Sequence, residues 1–96
     1  MGELNSLFKP GSLAIIGASS TRNKIGNAIT RNIIESGYQG KIYPINPREK
    51  EIEGLKAYPS IGAVPGDVDM AIIAVPASKV LAVARACGEK GVKALT

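Results

Sequence analysis

Unbroken apolar runs alternate along the chain with segments in which apolar residues are spaced as in a helix. Leu13–Ile16 is an unbroken run, and from Ile25 to Ile33 the apolar residues recur every three or four positions. The run predicts a buried strand, and the spaced residues predict an amphipathic helix with one face on the core. Glycine is common just after a helix, so we expect this helix to begin near Ile25 and to end at Gly37.

The same alternation continues through the second half of the chain. Lys41–Ile45 predicts a second strand, Leu55–Tyr58 a short strand followed by a helical turn, and Asp69–Val75 a strand covered on both faces. A second helix is expected to begin at Ala77, and Val92–Thr96 starts another strand. The buried face of the second helix is predicted to comprise Val80, Val83, Ala84 and Cys87.

Strands that alternate with helices through short connections require right-handed crossovers, which predicts an α/β fold with a Rossmann-like, doubly wound parallel sheet. Ligands bind such sheets where the strand order reverses, and we expect Leu13–Ile16 and Asp69–Val75 to flank that point. The 96 residues allow one domain, 1–96. The chain stops inside an apolar strand, so we expect a sheet truncated at its C-terminus, a fragment of a larger protein, and self-association through the unpaired edge.

Composition and charge restrict the classes of function. The chain is 45% hydrophobic and 21% charged, which excludes a disordered tail, and it has no apolar run of about 18 residues, as a membrane span requires. Its net charge of +4 comes from dispersed basic residues, which disfavours a nucleic-acid surface and favours a small anionic ligand. The N-terminal residues show no secretion signal, so we expect a cytoplasmic protein. Cys87, the single cysteine, is predicted to be a buried structural thiol.

A glycine turn directly after the first predicted strand is the most informative local feature. Glycine allows the backbone to turn tightly and to approach a ligand, and the start of the next helix directs unpaired N–H groups at an anion. Hydroxyl and N–H groups after the glycine suit a diphosphate, and basic side chains add charge. A simple turn with a helix cap is the alternative. The candidate residues are Gly17, Ala18, Ser19, Ser20, Thr21, Arg22 and Lys24.

This loop departs from the dinucleotide fingerprint G-x-G-x-x-G. Ser19, and Thr21 or Arg22, stand where further glycines are expected, and no acidic residue directly follows the second strand, so NAD is disfavoured. Basic Arg48 and Lys50 suit an extra phosphate on the ribose, which leaves NADP or the 3′-phosphorylated ADP of CoA. At the end of the Asp69–Val75 strand a proline that only terminates the strand is the alternative to a ligand contact. The candidate contacts at these two strand ends are Asn46, Pro47, Arg48, Lys50, Val75, Pro76 and Ala77.

Five blocks of the sequence carry a family resemblance: Leu7–Ser12, Ile15–Ser19, Lys41–Pro47, Val68–Ala77 and Cys87–Lys93. Together they resemble the N-terminal CoA-binding domain of NDP-forming acyl-CoA synthetases. That family includes the ADP-forming acetate–CoA ligases and, more distantly, the succinyl-CoA synthetase α subunit. The blocks follow the family's order and approximate spacing over nearly the whole chain.

The resemblance implies roles for three segments. Gly17–Thr21 would receive the CoA phosphates, Asn46–Arg48 the adenosine part, and Val75–Ala77 would border the ligand, with a further family contact just beyond Thr96. The family interconverts acyl-CoA, ADP and phosphate with the free acid, ATP and CoA, through a histidine in a later domain. This chain contains no histidine. The resemblance therefore implies a CoA-binding domain that is inactive alone and works with the remaining ligase domains or a separate ATP-grasp subunit.

Two other functions stay open at this point. A stand-alone CoA-binding protein, or the CoA-binding part of a fused protein acetyltransferase, resembles the same region. An NADP-binding Rossmann module would use the same loop and the same basic strand end. The sequence predicts no catalytic residue and no metal ligand in this chain under any of these functions.

Overall fold

A four-stranded parallel sheet, a two-stranded hairpin and two helices form residues 11–96, the part of the chain that the computed structural model describes. The strands are β1 (Ser12–Ile16), β2 (Lys41–Ile45), β3 (Glu51–Ile52), β4 (Leu55–Lys56), β5 (Met70–Ile73) and β6 (Ala94–Leu95). The helices are α1 (Ile25–Glu35) and α2 (Ala77–Lys90), and a 3-10 turn spans Ile61–Ala63. Residues 7–10 of the first family block lie outside the described residues.

The parallel sheet has the strand order β2-β1-β5-β6. Ile16 of β1 lies opposite Ile45 of β2 on one side and opposite Ile73 of β5 on the other. The chain moves first from β1 outward to β2 and later crosses to β5 on the opposite side of β1, so the strand order reverses between β1 and β5. The predicted Rossmann-like parallel sheet and the position of its switch point are confirmed.

Both faces of β1 are buried, which explains its unbroken apolar sequence. Successive side chains of a strand point to opposite faces of the sheet. On one face Ala14 and Ile16 join a cluster that includes Cys87 of α2. On the other face Ile15 belongs to a cluster against which Ile29 of α1 packs. Each helix therefore covers one face of the sheet.

Most predicted elements agree with the structure, and two segments differ. α1 begins where the spacing predicts, and Gly37 after it has a φ of 82°. The strand predicted at Asp69–Val75 is shorter, and only its central residues form β5. Residues 51–56 form a hairpin of β3 and β4, whereas the sequence predicts one short strand, at Leu55–Tyr58. Glu53 and Gly54 both have positive φ, as a two-residue hairpin turn requires.

The helix α2 buries a narrower face than its sequence predicts. Cys87 is 1% exposed, and Val83 packs against the same core cluster. The prediction that Val80 is buried is wrong, because its side chain is 38% exposed, and Leu81 beside it is 74% exposed. Lys79 borders an open cleft, so the first turn of α2 lies beside that cleft and the sheet does not cover it.

Candidate functional site

The loop after β1 begins with a glycine that another residue cannot replace without movement of the backbone. Gly17 has a φ of 96°, and a Cβ atom built on it would lie 2.4 Å from the carbonyl oxygen of Ala74. Its N–H donates to the carbonyl oxygen of Ile45 at 3.1 Å. The backbone at Gly17 therefore passes closely between the ends of β2 and β5, and the loop starts at the switch point of the sheet.

A second glycine allows α1 to pack against this loop. A Cβ atom on Gly26 would lie 1.9 Å from the carbonyl oxygen of Gly17 and 3.1 Å from the Cα of Ala18. In the dinucleotide fingerprint the third glycine permits this close contact between helix and strand. Counted from Gly17, the usual position of that glycine falls at Arg22, and Gly26 allows the close packing four residues later. The loop is therefore a longer form of the fingerprint.

The side chain of Ser19 maintains the shape of the loop. Its Oγ accepts a hydrogen bond from the N–H of Thr21 at 3.0 Å, and its carbonyl oxygen accepts one from Nδ2 of Asn27 at 2.9 Å. Asn27 is fully buried in the first turn of α1. The hydroxyl of Ser19 thus contributes to a local turn, whereas Ser20 beside it is exposed.

A carboxylate from the segment after β2 binds the donors of Ser20. The N–H of Ser20 donates to Oε2 of Glu49 at 3.1 Å, and its hydroxyl donates to Oε1. The side-chain hydrogen bond from Ser20, and then its backbone bond, lower the pKa of Glu49 below the ordinary value. An anionic group of the chain itself therefore occupies the predicted anion loop. Glu49 is not among the residues predicted from the sequence, because nothing in its spacing connects it to Ser20.

Asn46, predicted as a ligand contact, joins the two loops. Its Nδ2 donates to the carbonyl oxygen of Ala18 at 2.9 Å. Its Oδ1 accepts from the N–H of Arg48 at 2.7 Å and from the N–H of Glu49 at 3.0 Å. The side chain of Asn46 consequently holds the backbone after β2 against the loop after β1.

An apolar cleft of about 680 Å³ opens at the carboxyl ends of β1 and β2, between the 3-10 turn and α2. Ile16 and Ile61 contribute to its apolar lining, and Lys79 and Lys90 are basic groups at its wall. Nζ of Lys90 donates to the carbonyl oxygen of Val64. Lys79 is exposed and is not among the residues predicted from the sequence. Concave, mainly apolar sites with a few polar groups are typical of small-molecule binding.

The structure brings only part of the predicted site to this cleft. Gly17, Pro47 and Val75 line it, while Pro76 and Ala77 lie at the exposed start of α2. The four basic residues predicted from the sequence are exposed, and none of them lines this cleft in the described part of the chain, residues 11–96. They are Arg22, Lys24, Arg48 and Lys50.

A parallel sheet with a reversed strand order, a close-packed glycine turn and an adjoining apolar cleft defines a Rossmann-like nucleotide-binding domain. Residues 11–96 match the CoA binding domain family. The chain belongs to this family, and CoA is the ligand that the family name specifies. No helix in residues 11–96 has the length and apolar character needed to cross a lipid bilayer.

Acetate–CoA ligases are similar to nearly the whole chain. It is 52% identical to the alpha subunit of ADP-forming acetate–CoA ligase I of Pyrococcus furiosus, over 94% of this chain and 20% of that subunit. It is 50% identical to the ADP-forming acetate–CoA ligase of Methanocaldococcus jannaschii, over 95% of this chain and 13% of that protein. The solved structure of Ca. Korarchaeum cryptofilum dinucleotide-forming acetyl-coenzyme A synthetase 1 with phosphate and ADP matches with a TM-score of 0.90 and 48% identity, covering 99% of this chain and 20% of that one. The chain thus spans a fifth or less of the length of these relatives.

Proposed function

We propose that this chain is the CoA-binding domain of an ADP-forming acetate–CoA ligase. The observation that carries the proposal is the 52% identity to the P. furiosus alpha subunit over 94% of this chain. The TM-score of 0.90 to the Korarchaeum acetyl-CoA synthetase supports it. In this proposal residues 1–96 form one domain of a cytoplasmic enzyme, and CoA is a substrate of that enzyme.

The proposed enzyme interconverts acyl-CoA, ADP and phosphate with the free acid, ATP and CoA. Binding of ATP and transfer of the phosphoryl group belong to the other ligase domains or to a separate ATP-grasp subunit. The chain has no histidine to carry a phosphoryl group. We therefore expect it to bind CoA without turning over acetate, and self-association through its last strand remains a prediction.

The proposed binding mode places the adenosine part of CoA at the apolar cleft and the diphosphate at the loop after β1. Pro47 and Val75 line the cleft on either side of Gly17, and burial of the base between such groups is favourable. The loop Ser19–Thr21 lies before the N-terminus of α1, where N–H groups and the helix dipole stabilise an anion. Pro76 and Ala77 form the adjoining rim.

Basic side chains near the cleft are candidates for the 3′-phosphate of CoA. Arg48 and Lys50 follow β2 and are exposed, and arginine can bind a phosphate through two parallel hydrogen bonds. Lys79 lines the cleft itself. We propose Arg48, with support from Lys50, as the principal contact, and Lys79 as the candidate that the structure adds.

Calorimetric titration of CoA and 3′-dephospho-CoA tests these assignments. We expect R48Q to weaken CoA binding about tenfold to a hundredfold, because a charge-assisted hydrogen bond contributes roughly 1.5–3 kcal/mol, and to leave 3′-dephospho-CoA within about twofold. K41Q is the matched control, since Lys41 is exposed at the opposite end of β2. If K79Q weakens the binding of CoA but not of 3′-dephospho-CoA, and R48Q does not, the principal contact to the 3′-phosphate is Lys79. Equal affinity of the wild type for both ligands would remove Arg48 and Lys50 from the account.

Two further observations separate the proposed function from its alternatives. Micromolar binding of NADPH by a chain that does not bind CoA would contradict the proposal and favour an NADP module. A reading frame that continues beyond Thr96 into a histidine-bearing domain would support the ligase. One without such a domain would favour a stand-alone CoA-binding protein or part of a protein acetyltransferase.

A further inference from the structure

Two carboxylates of the segment between β2 and β4 lie against the start of α1 and the loop before it. Glu49 accepts the two hydrogen bonds of Ser20, and Oε2 of Glu53 accepts one from Nδ2 of Asn27 at 2.9 Å. The first turn of α1 has no acidic residue of its own. A helix N-terminus favours nearby negative charge, so the chain supplies its own anions where the proposed diphosphate site lies.

Ser20 binds the carboxylate of Glu49 in the way in which it could bind an anionic ligand. Its two carboxylate oxygens accept separately from the N–H and from the hydroxyl of Ser20. A phosphate oxygen would accept from the same two donors, and each donor has a single hydrogen to give. The carboxylate and a phosphate group therefore cannot both occupy the donors of Ser20.

The backbone at Glu49 is fixed, but its side chain is free to leave. The N–H of Glu49 donates to Oδ1 of Asn46 at 3.0 Å, and this bond does not involve the carboxylate. Nδ2 of Asn46 lies 3.4 Å from Oε2 of Glu49, a longer contact than the bonds from Ser20. A rotation of the flexible Glu49 side chain would free Ser20 without unfolding the loop after β2.

We propose that Glu49 is an internal competitor for the anionic part of CoA: its carboxylate holds the N–H and hydroxyl of Ser20 until the diphosphate displaces it, and so sets the affinity of the site. The inference rests on the proposed function, because it concerns the same loop. In this proposal Glu49 weakens CoA binding, whereas the neighbouring Arg48 strengthens it.

Calorimetric titration of CoA into the wild type, E49Q and E51Q tests the proposal. The neutral amide of E49Q makes weaker hydrogen bonds than a carboxylate, so we expect it to bind CoA roughly threefold to tenfold more tightly than the wild type. E51Q removes the negative charge of Glu51, the exposed residue of β3, and we expect a change of less than about twofold because exposed charges are screened. Equal or weaker binding by E49Q would overturn the proposal and leave Glu49 as a residue that only supports the loop.

A shorter side chain separates direct contact from the effect of charge alone. E49D keeps the charge but shortens the reach to Ser20, so we expect tighter binding than in the wild type. If E49D binds CoA with the affinity of the wild type, the effect of E49Q comes from the negative charge alone, and the proposed direct competition at Ser20 is wrong. The Ser20 amide signal in NMR spectra provides a readout without ligand, and E49Q is expected to shift it while E51Q leaves it in place. CoA binding with unchanged affinity in E49Q contradicts only this inference, whereas no CoA binding by any variant contradicts the proposed function as well.

Discussion

Replacement of Gly17 by alanine should strongly destabilise the domain, because two separate costs meet at this position. The φ of 96° lies in the region that L side chains rarely adopt, and a left-handed conformation costs a non-glycine residue about 1–2 kcal/mol. The new Cβ would also lie 2.4 Å from the carbonyl oxygen of Ala74, and forcing an atom into a packed region costs about 1–3 kcal/mol. We therefore expect G17A to lose about 2–5 kcal/mol of the free energy of unfolding.

Two other glycines separate these costs. Gly37 has a φ of 82°, and a Cβ atom there would meet nothing within 4 Å, so G37A should lose only the conformational cost of about 1–2 kcal/mol. Gly26 lies in α1, and its Cβ would be 1.9 Å from the carbonyl oxygen of Gly17. Alanine is favoured over glycine inside a helix by roughly 0.5–1 kcal/mol. A net loss of stability in G26A would therefore show that the steric clash with Gly17 outweighs this gain.

Urea unfolding followed by far-ultraviolet circular dichroism gives the comparison. A domain of this size has about 5–14 kcal/mol of stability, and with a slope of about 1–3 kcal/mol per molar urea the midpoint of G17A should fall by about 0.7–5 M. The expected order of stability is wild type, then G37A, then G17A, with G26A below the wild type. A loss in G17A no larger than that in G37A, or a stabilised G26A, would refute the close approach of the loop to β5 and to α1.

Two further predictions concern ionisable side chains outside the cleft. Asp69 accepts from the N–H of Gly11 at 2.8 Å, and this bond, with the charge of Lys93, lowers its pKa. A carboxylate whose pKa is lowered in the folded state stabilises the fold above its unfolded pKa, about 3.9, and this contribution is lost as pH falls through the folded pKa. The urea midpoint should therefore fall less between pH 7 and pH 3 in D69N than in the wild type. An identical fall in both proteins would contradict the assignment. Cys87 is 1% exposed, and burial raises its pKa. A thiol reagent at neutral pH should therefore modify Cys87 far more slowly in the native chain than in the chain unfolded in urea. Rapid stoichiometric labelling of the native chain would contradict the burial of Cys87.

The order of strands and helices was accessible from the sequence because burial on one or both faces leaves a periodic pattern. β1 is an unbroken apolar run because each face lies under one helix. The hairpin at residues 51–56 has strands of two residues each, too short for any period to be visible. Val80 continues the helical period of α2 but lies beyond the part of the helix that the sheet covers, so the pattern alone overstates the buried face.

The candidate site could be predicted where a residue's position follows from the end of a strand, as for Pro47 and Val75, or from its own backbone geometry. Gly17 could be predicted because a strand followed directly by a turn needs a residue without a side chain. The close packing of Gly26 depends on the length of the loop before it, which the fixed spacing of the fingerprint does not allow for. Glu49 and Lys79 come to the site from separate segments, and such contacts depend on the folded arrangement of loops, which leaves no periodic pattern in the sequence.

The loops after β1 and β2 act as one hydrogen-bonded unit, and this determines how charge operates at the site. Asn46 bonds both to Ala18 in the first loop and to the N–H groups of Arg48 and Glu49 in the second. A cation proposed to attract the ligand and an anion proposed to compete with it therefore extend from adjacent residues held by one side chain. Their formal charges are opposite and adjacent, so the net charge of +4 over the whole chain does not describe the charge at this point. In the proposed site CoA therefore competes with the carboxylate of Glu49 for the donors of Ser20, next to the cation proposed to bind its 3′-phosphate.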